Sequence, residues 1–135
     1  MKILDPSENI SRIVELIDHA GEFVVIVSPY TDLRGWDHFT NSINNAVKRG
    51  ITIKYYVREE VGVPGTEGLE AEILEVPGLH AKMFFSEREM MIASFHLRNN
   101  DDINWAYILE YPDEYDQMID FFEKNIKPVA IPSGK

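Results

Sequence analysis

The sequence predicts one α/β domain, a mixed and mostly parallel sheet with flanking helices. Three observations predict it. Apolar runs of strand length recur along the chain, amphipathic stretches of helical period lie between the first of them, and Gly or Pro marks many of the boundaries. With 135 residues and 44% hydrophobic content there is enough apolar material for a single core. The domain is expected over residues 1–127, with 128–135 as a tail or linker.

Asp5-Pro6-Ser7-Glu8 opens the first helix, with a capping carboxylate, proline at the first helical position and an acid in the first turn. Ile10, Ile13, Val14 and Ile17 then recur on one face until Gly21. His19 suits the negative end of that helix. Phe23 to Val27 is continuously apolar, as a strand covered on both faces would be. Trp36, Phe39, Ile43, Ala46 and Val47 mark a second helix, with His38 on its surface, stopped by Gly50. Ile51 to Val57 is the next strand, and a strand-helix-strand order implies parallel pairing.

After a Gly/Pro-rich loop from Val61 to Gly68, Ala71 to Val76 reads as a strand that enters a Pro77-Gly78 turn. That turn delivers Leu79-His80 to a hairpin whose arms are Ala81 to Phe85 and Met90 to Phe95. Trp105 to Tyr111 gives a final strand, and Tyr115, Met118, Ile119, Phe122 and Ile126 line a closing helix. Trp36 and Trp105 are expected in the core.

The hairpin carries the chemistry. If its turn is centred on Arg88, Phe84 faces Ile92, Lys82 faces Ser94 and His80 faces His96. The polar groups then share one face, and Ala81, Met83, Phe85, Met91, Ala93 and Phe95 share the other. A neutral imidazole can attack a phosphodiester phosphorus, and a second can protonate the leaving oxygen. Lys82 would hold the non-bridging oxygens and Ser94 would donate to them. An attacking histidine needs an acceptor on its other nitrogen, and Asn104 is the candidate for that place. Glu87 falls at the hairpin tip as a turn residue. Tyr30 follows a central strand, where open α/β sheets place ligand contacts.

His80-x-Lys82, Glu87, Ala93-Ser94 and His96, with Asn104 further on, resemble the phospholipase D superfamily. Its signature is His-x-Lys, four residues, Asp, then Gly-Ser-x-Asn, and shortly after Asn-x-Glu. Here Glu87 stands for the Asp, Ala93 for the Gly, His96 for the Asn and Asn104 for the Glu. The resemblance implies a metal-independent phosphodiesterase of nuclease type that works through a phosphohistidine and needs no cofactor. It also implies two facing His-x-Lys pairs, so one motif per chain points to a symmetric homodimer. The departures keep two other functions open. One is a weakened module that binds nucleic acid or a phosphorylated ligand, and the other is a dimerising regulatory or assembly domain.

Charge and composition narrow the partners. With 23 acidic against 13 basic residues, the net charge of −10 repels polyanions at long range. Nucleic acid would therefore be held locally, by a basin built from Lys54, Arg58, Lys82 and Arg98. No cysteine is present, so disulfides and thiolate metal sites are excluded. No stretch approaches the ~20 apolar residues of a membrane span, and a soluble, cytoplasmic protein without membrane contact is the expectation.

Overall fold

In the computed structural model, which describes residues 2–99 and 102–133, strand β2 (Phe23–Val27) is apolar throughout because both of its faces are covered. Val24 and Ile26 pack with Ile13, Leu16 and Ile17 of helix α1 (Asn9–His19) and with Phe39, Ile43 and Ala46 of helix α2 (Asp37–Lys48). Val25 and Val27 pack instead with Phe122 of helix α3 (Pro112–Asn125) and with Ile126. Alternation along one strand thus feeds two separate cores. Asp5 caps the first helical turn as its sequence implies, accepting from the Ser7 N–H at 2.9 Å and hydroxyl at 2.7 Å.

The remaining strands are β1 (Lys2–Ile3), β3 (Thr52–Arg58), β4 (Glu72–Val76), β5 (Met83–Ser86), β6 (Met90–Ala93), β7 (Ala106–Ile108) and β8 (Ile131–Pro132). Their order in the sheet is β1-β7-β6-β5-β2-β3-β4-β8. Between the strands, parallel pairing joins β2 with β3 and β3 with β4, and the other neighbours run antiparallel. The α/β class and the mixed sheet are as expected, while the balance of directions is more antiparallel than the strand-helix-strand pattern suggested. The reason is that parallel neighbours need a crossover. Only α2 and the 59–71 connection supply one.

The hairpin register differs from the expected one by a residue. Met83 faces Ile92, Phe84 faces Met91 and Phe85 faces Met90. The turn uses two residues, Glu87 and Arg88, closed by the Ser86 N–H on the Glu89 carbonyl at 3.0 Å, so its centre lies between them rather than on Arg88. Phe84 consequently faces the α1/α2 core and stacks on Phe95, while Met83 and Phe85 turn toward α3.

Glu87 fixes this turn to the rest of the domain. Its carboxylate accepts the N–H groups of Gly21 at 2.8 Å, Glu22 at 3.1 Å and Phe23 at 3.2 Å, at the junction of α1 and β2. Burial works against its charge, but these donors outweigh burial and hold the carboxyl below its usual value. Arg88 adds a bond to the His19 carbonyl, and Arg12 pairs with Glu89.

Both ends of the described chain join the sheet. Lys2 and Ile3 pair with β7, and Ile131 and Pro132 pair with β4, where Ser133 also donates to the Ile73 carbonyl at 2.9 Å. The segment expected as a tail from 128 onward is therefore part of the fold as far as residue 133, and 134–135 lie outside the described residues. Trp36 is half-buried against the α1/α2 core, but Trp105 is 48% exposed and stacks on Tyr107. It misses the core because α3 lies over β2, β3 and β5 and leaves this corner of the sheet open.

Candidate active site

Four connections converge where β2 and β3 end, where β5 begins and where β6 passes to β7. Tyr30 follows β2, Arg58 closes β3, His80 and Lys82 precede β5, Ser94 and His96 follow β6, and Asn104 precedes β7. The turn at Gly78, whose φ of 67° suits a residue without a side chain, brings the chain round to buried Leu79. His80 then projects into solvent, and its carbonyl accepts from the Lys82 ammonium at 3.1 Å. Arg58 donates to the Leu79 carbonyl at 3.2 Å and so borders the same spot.

His80 and His96 do come together, with ring centroids 5.9 Å apart and edge to face. The one-residue register shift does not separate them, because both lie beyond the paired parts of β5 and β6, and His96 is steered by other contacts. The steering network is buried. Ser28, fully buried after β2, accepts the Leu97 N–H at 2.7 Å and donates to the Tyr30 carbonyl at 3.0 Å. Thr31 bridges to Leu97 along the backbone and shares a hydrogen bond with the Tyr55 hydroxyl at 2.8 Å. Burial pushes the Tyr55 phenol well above its usual range, so it stays neutral.

This network sets His96 against the 28–32 loop. Its Nδ1 accepts the Tyr30 N–H at 3.4 Å, and the Tyr30 ring meets it edge to face at 5.0 Å. The Arg98 guanidinium lies 5.5 Å over the Tyr30 ring. Burial, with Lys82, Arg98 and His80 nearby, pushes the His96 imidazole down to about 4. Burial also lowers the Lys82 ammonium. A second proton on the His96 ring is thus disfavoured at neutral pH.

Ser94 and Asn104 form a pair beside this cluster. The Ser94 hydroxyl donates to Asn104 Oδ1 at 3.2 Å and accepts the Trp105 N–H at 2.9 Å, while the Asn104 amide reaches the Asp102 carbonyl at 3.3 Å. These bonds fasten the connection between β6 and β7. Lys54 leaves the expected basin: it lies toward the other end of β3, in a hollow under α3 with Glu22, Thr52 and Glu123. The basin reduces to Arg58, Lys82 and Arg98. Among the described residues no group of three or more His, Cys, Asp or Glu is arranged to hold a metal ion, and no helix is long and apolar enough to cross a membrane.

Sequence reasoning missed Ser28, Thr31 and Tyr55 as the parts that position the site. Tyr55 carried a signal, since a phenol inside an apolar strand must find a partner for its hydroxyl.

No protein-family model matches the sequence, and no curated protein sequence matches it. Solved structures do match in fold. NucT from Helicobacter pylori superposes with a TM-score of 0.79 at 13% identity, over 97% of each chain. The phospholipase D family member Nuc from Salmonella typhimurium gives 0.72 at 13% identity, over 93% of this chain and 90% of that one. TrmBL2, an archaeal chromatin protein described as binding DNA, gives 0.65 at 11% identity, over 92% of this chain and 51% of its own. The chain has the phospholipase D fold.

Proposed function

We propose that this domain, built on the phospholipase D fold, is a metal-independent phosphodiesterase of nuclease type whose working site forms between two copies of the chain. The observation that carries the reading is His80 beside Lys82 on an open face at the strand ends, next to Arg58 and Arg98. The fold shared with Nuc and NucT supports it.

In this reading the neutral His80 imidazole attacks phosphorus. The bond to the leaving oxygen breaks with its electron pair, and that oxygen takes a proton from the second copy's His80. Water then attacks the phosphohistidine phosphorus and gives a proton to the second copy's imidazole, while the P–N bond breaks and its electron pair returns to His80 as a neutral ring. Lys82 holds the charge that grows on the non-bridging oxygens. His96 is poorly suited to be the acid, because its environment disfavours the imidazolium. In this reading the proton comes from the second copy instead.

The test is cleavage of bis(p-nitrophenyl) phosphate and of single- and double-stranded DNA in EDTA. Wild type should cleave, and His80→Ala should lose about 10²–10⁴-fold. Equal background activity in both would sink the enzyme reading. A second reading, binding without cutting, draws on Asn104, whose amide stands where the resemblance implies a carboxylate and whose oxygen takes the Ser94 hydroxyl. Salt-sensitive DNA binding that needs Lys82, without cleavage, would favour it. Neither binding nor cleavage would leave the assembly role.

A further inference from the structure

We propose that His96 grips the substrate phosphate as a neutral donor, its Nε2–H bound to a non-bridging oxygen, and takes no part in proton transfer. This rests on the phosphodiester reading of the site and assigns the ring a role of its own within it.

The tautomer follows from one bond. An imidazole whose Nδ1 accepts a hydrogen bond carries its proton on Nε2, and Nδ1 here accepts from the Tyr30 N–H. Both partners of that bond are anchored through the backbone beside it. Tyr30 is held by the Ser28 hydroxyl on its carbonyl, and His96 is followed by Leu97, whose N–H goes to Ser28 and whose carbonyl accepts the Asp32 N–H at 3.0 Å. Tyr30 and His80 flank the ring edge to face. The ring is therefore set in place before any ligand arrives.

The second nitrogen is the informative one. Among the described residues Nε2 has no hydrogen-bond partner, although the ring is half-buried. It is not among the buried atoms left without a partner, so it is open to solvent and a ligand bringing an acceptor can reach it. The charged and titratable groups that act on it are Lys82, Arg98 and His80, all basic, so the acceptor they favour is an anion. The same groups, together with burial, keep the ring uncharged. The two imidazoles of one copy then divide the work, with His80 reacting and His96 holding.

The test uses the full chain labelled with ¹⁵N-histidine. Long-range ¹H–¹⁵N correlation should show Nδ1 bare and Nε2 protonated from about pH 8 to pH 5, and inorganic phosphate should shift the Nε2 resonance. In the cleavage assay, His96→Gln, which keeps a side-chain N–H donor, should hold KM within a few-fold. His96→Phe should raise it about 10- to 100-fold with little change in kcat, as loss of a bond to a charged group does. A proton on Nδ1, a titration midpoint near 6.5, or no response to phosphate would overturn the proposal. The two readings fail separately. His80→Ala should abolish turnover yet keep the tautomer and the phosphate response of His96, and a wild type without any cleavage can still show both.

Discussion

The two histidines of the site sit 5.9 Å apart and are held in opposite ways. His96 is tied to Tyr30 and backed by the Ser28, Thr31 and Leu97 network, which is buried. His80 is exposed, and its side chain has no hydrogen-bond partner among the described residues, since only its carbonyl is used, by Lys82. A group that must form and break a bond to phosphorus needs room to move, whereas a group that only positions a phosphate works better when fixed. In the proposed reading, the difference in support separates the histidine that reacts from the one that holds the phosphate.

That comparison can be broken most readily on the fixed side. Ser28→Ala leaves the buried Leu97 N–H without its acceptor and the Tyr30 carbonyl without its donor, and should cost about 2–3 kcal/mol in denaturant unfolding. Glu87→Gln, at the far end of the hairpin, should cost about 1–2 kcal/mol, because a charged acceptor shared by three N–H groups becomes neutral. The sign of its pH dependence is set by a carboxyl held low in the folded state. The contribution is present above about pH 4.5 and is lost as pH falls through the folded value, so the gap between Glu87→Gln and wild type should close in acid.

Tyr55→Phe should cost about 1 kcal/mol, since Thr31 keeps its bond to the Ser28 carbonyl. His80→Ala should leave unfolding within about 0.5 kcal/mol of wild type, and a larger loss would mean that the open side is structural after all. His96 sharpens the contrast through pH. Its folded value of about 4 lies below the ordinary 6.5, so the unfolded chain binds more protons between those values and stability falls as pH drops from 6.5 to 4. His96→Gln should flatten that part of the curve.

Much of the fold was legible because two-sided burial writes itself as unbroken apolar runs. Phe23 to Val27, Met83 to Phe85 and Met90 to Ile92 were readable as strands for that reason, and α1, α2 and α3 by their apolar stripes. The hairpin register was not readable, because a two-residue and a three-residue turn both fit Ser86-Glu87-Arg88-Glu89 and differ only in where Glu87 finds its donors. Trp105 was misplaced because its residue type favours burial and only the position of α3 leaves it exposed. In the candidate site, the meeting of His80 with His96 was readable from spacing. The bonds that set His96 in place were not, since Ser28, Thr31 and Tyr55 lie far from it in sequence and meet it only in the folded chain.

The two-residue strands at the borders of the sheet have a colloidal consequence. A bare strand edge is a row of unsatisfied backbone groups that can template pairing with another molecule. β1 covers β7, and β8, with Pro132 unable to donate outward, covers β4. Four residues thus cover the edges of the six strands between them, and a chain cut after Ala130 should precipitate through β4 long before its core is lost.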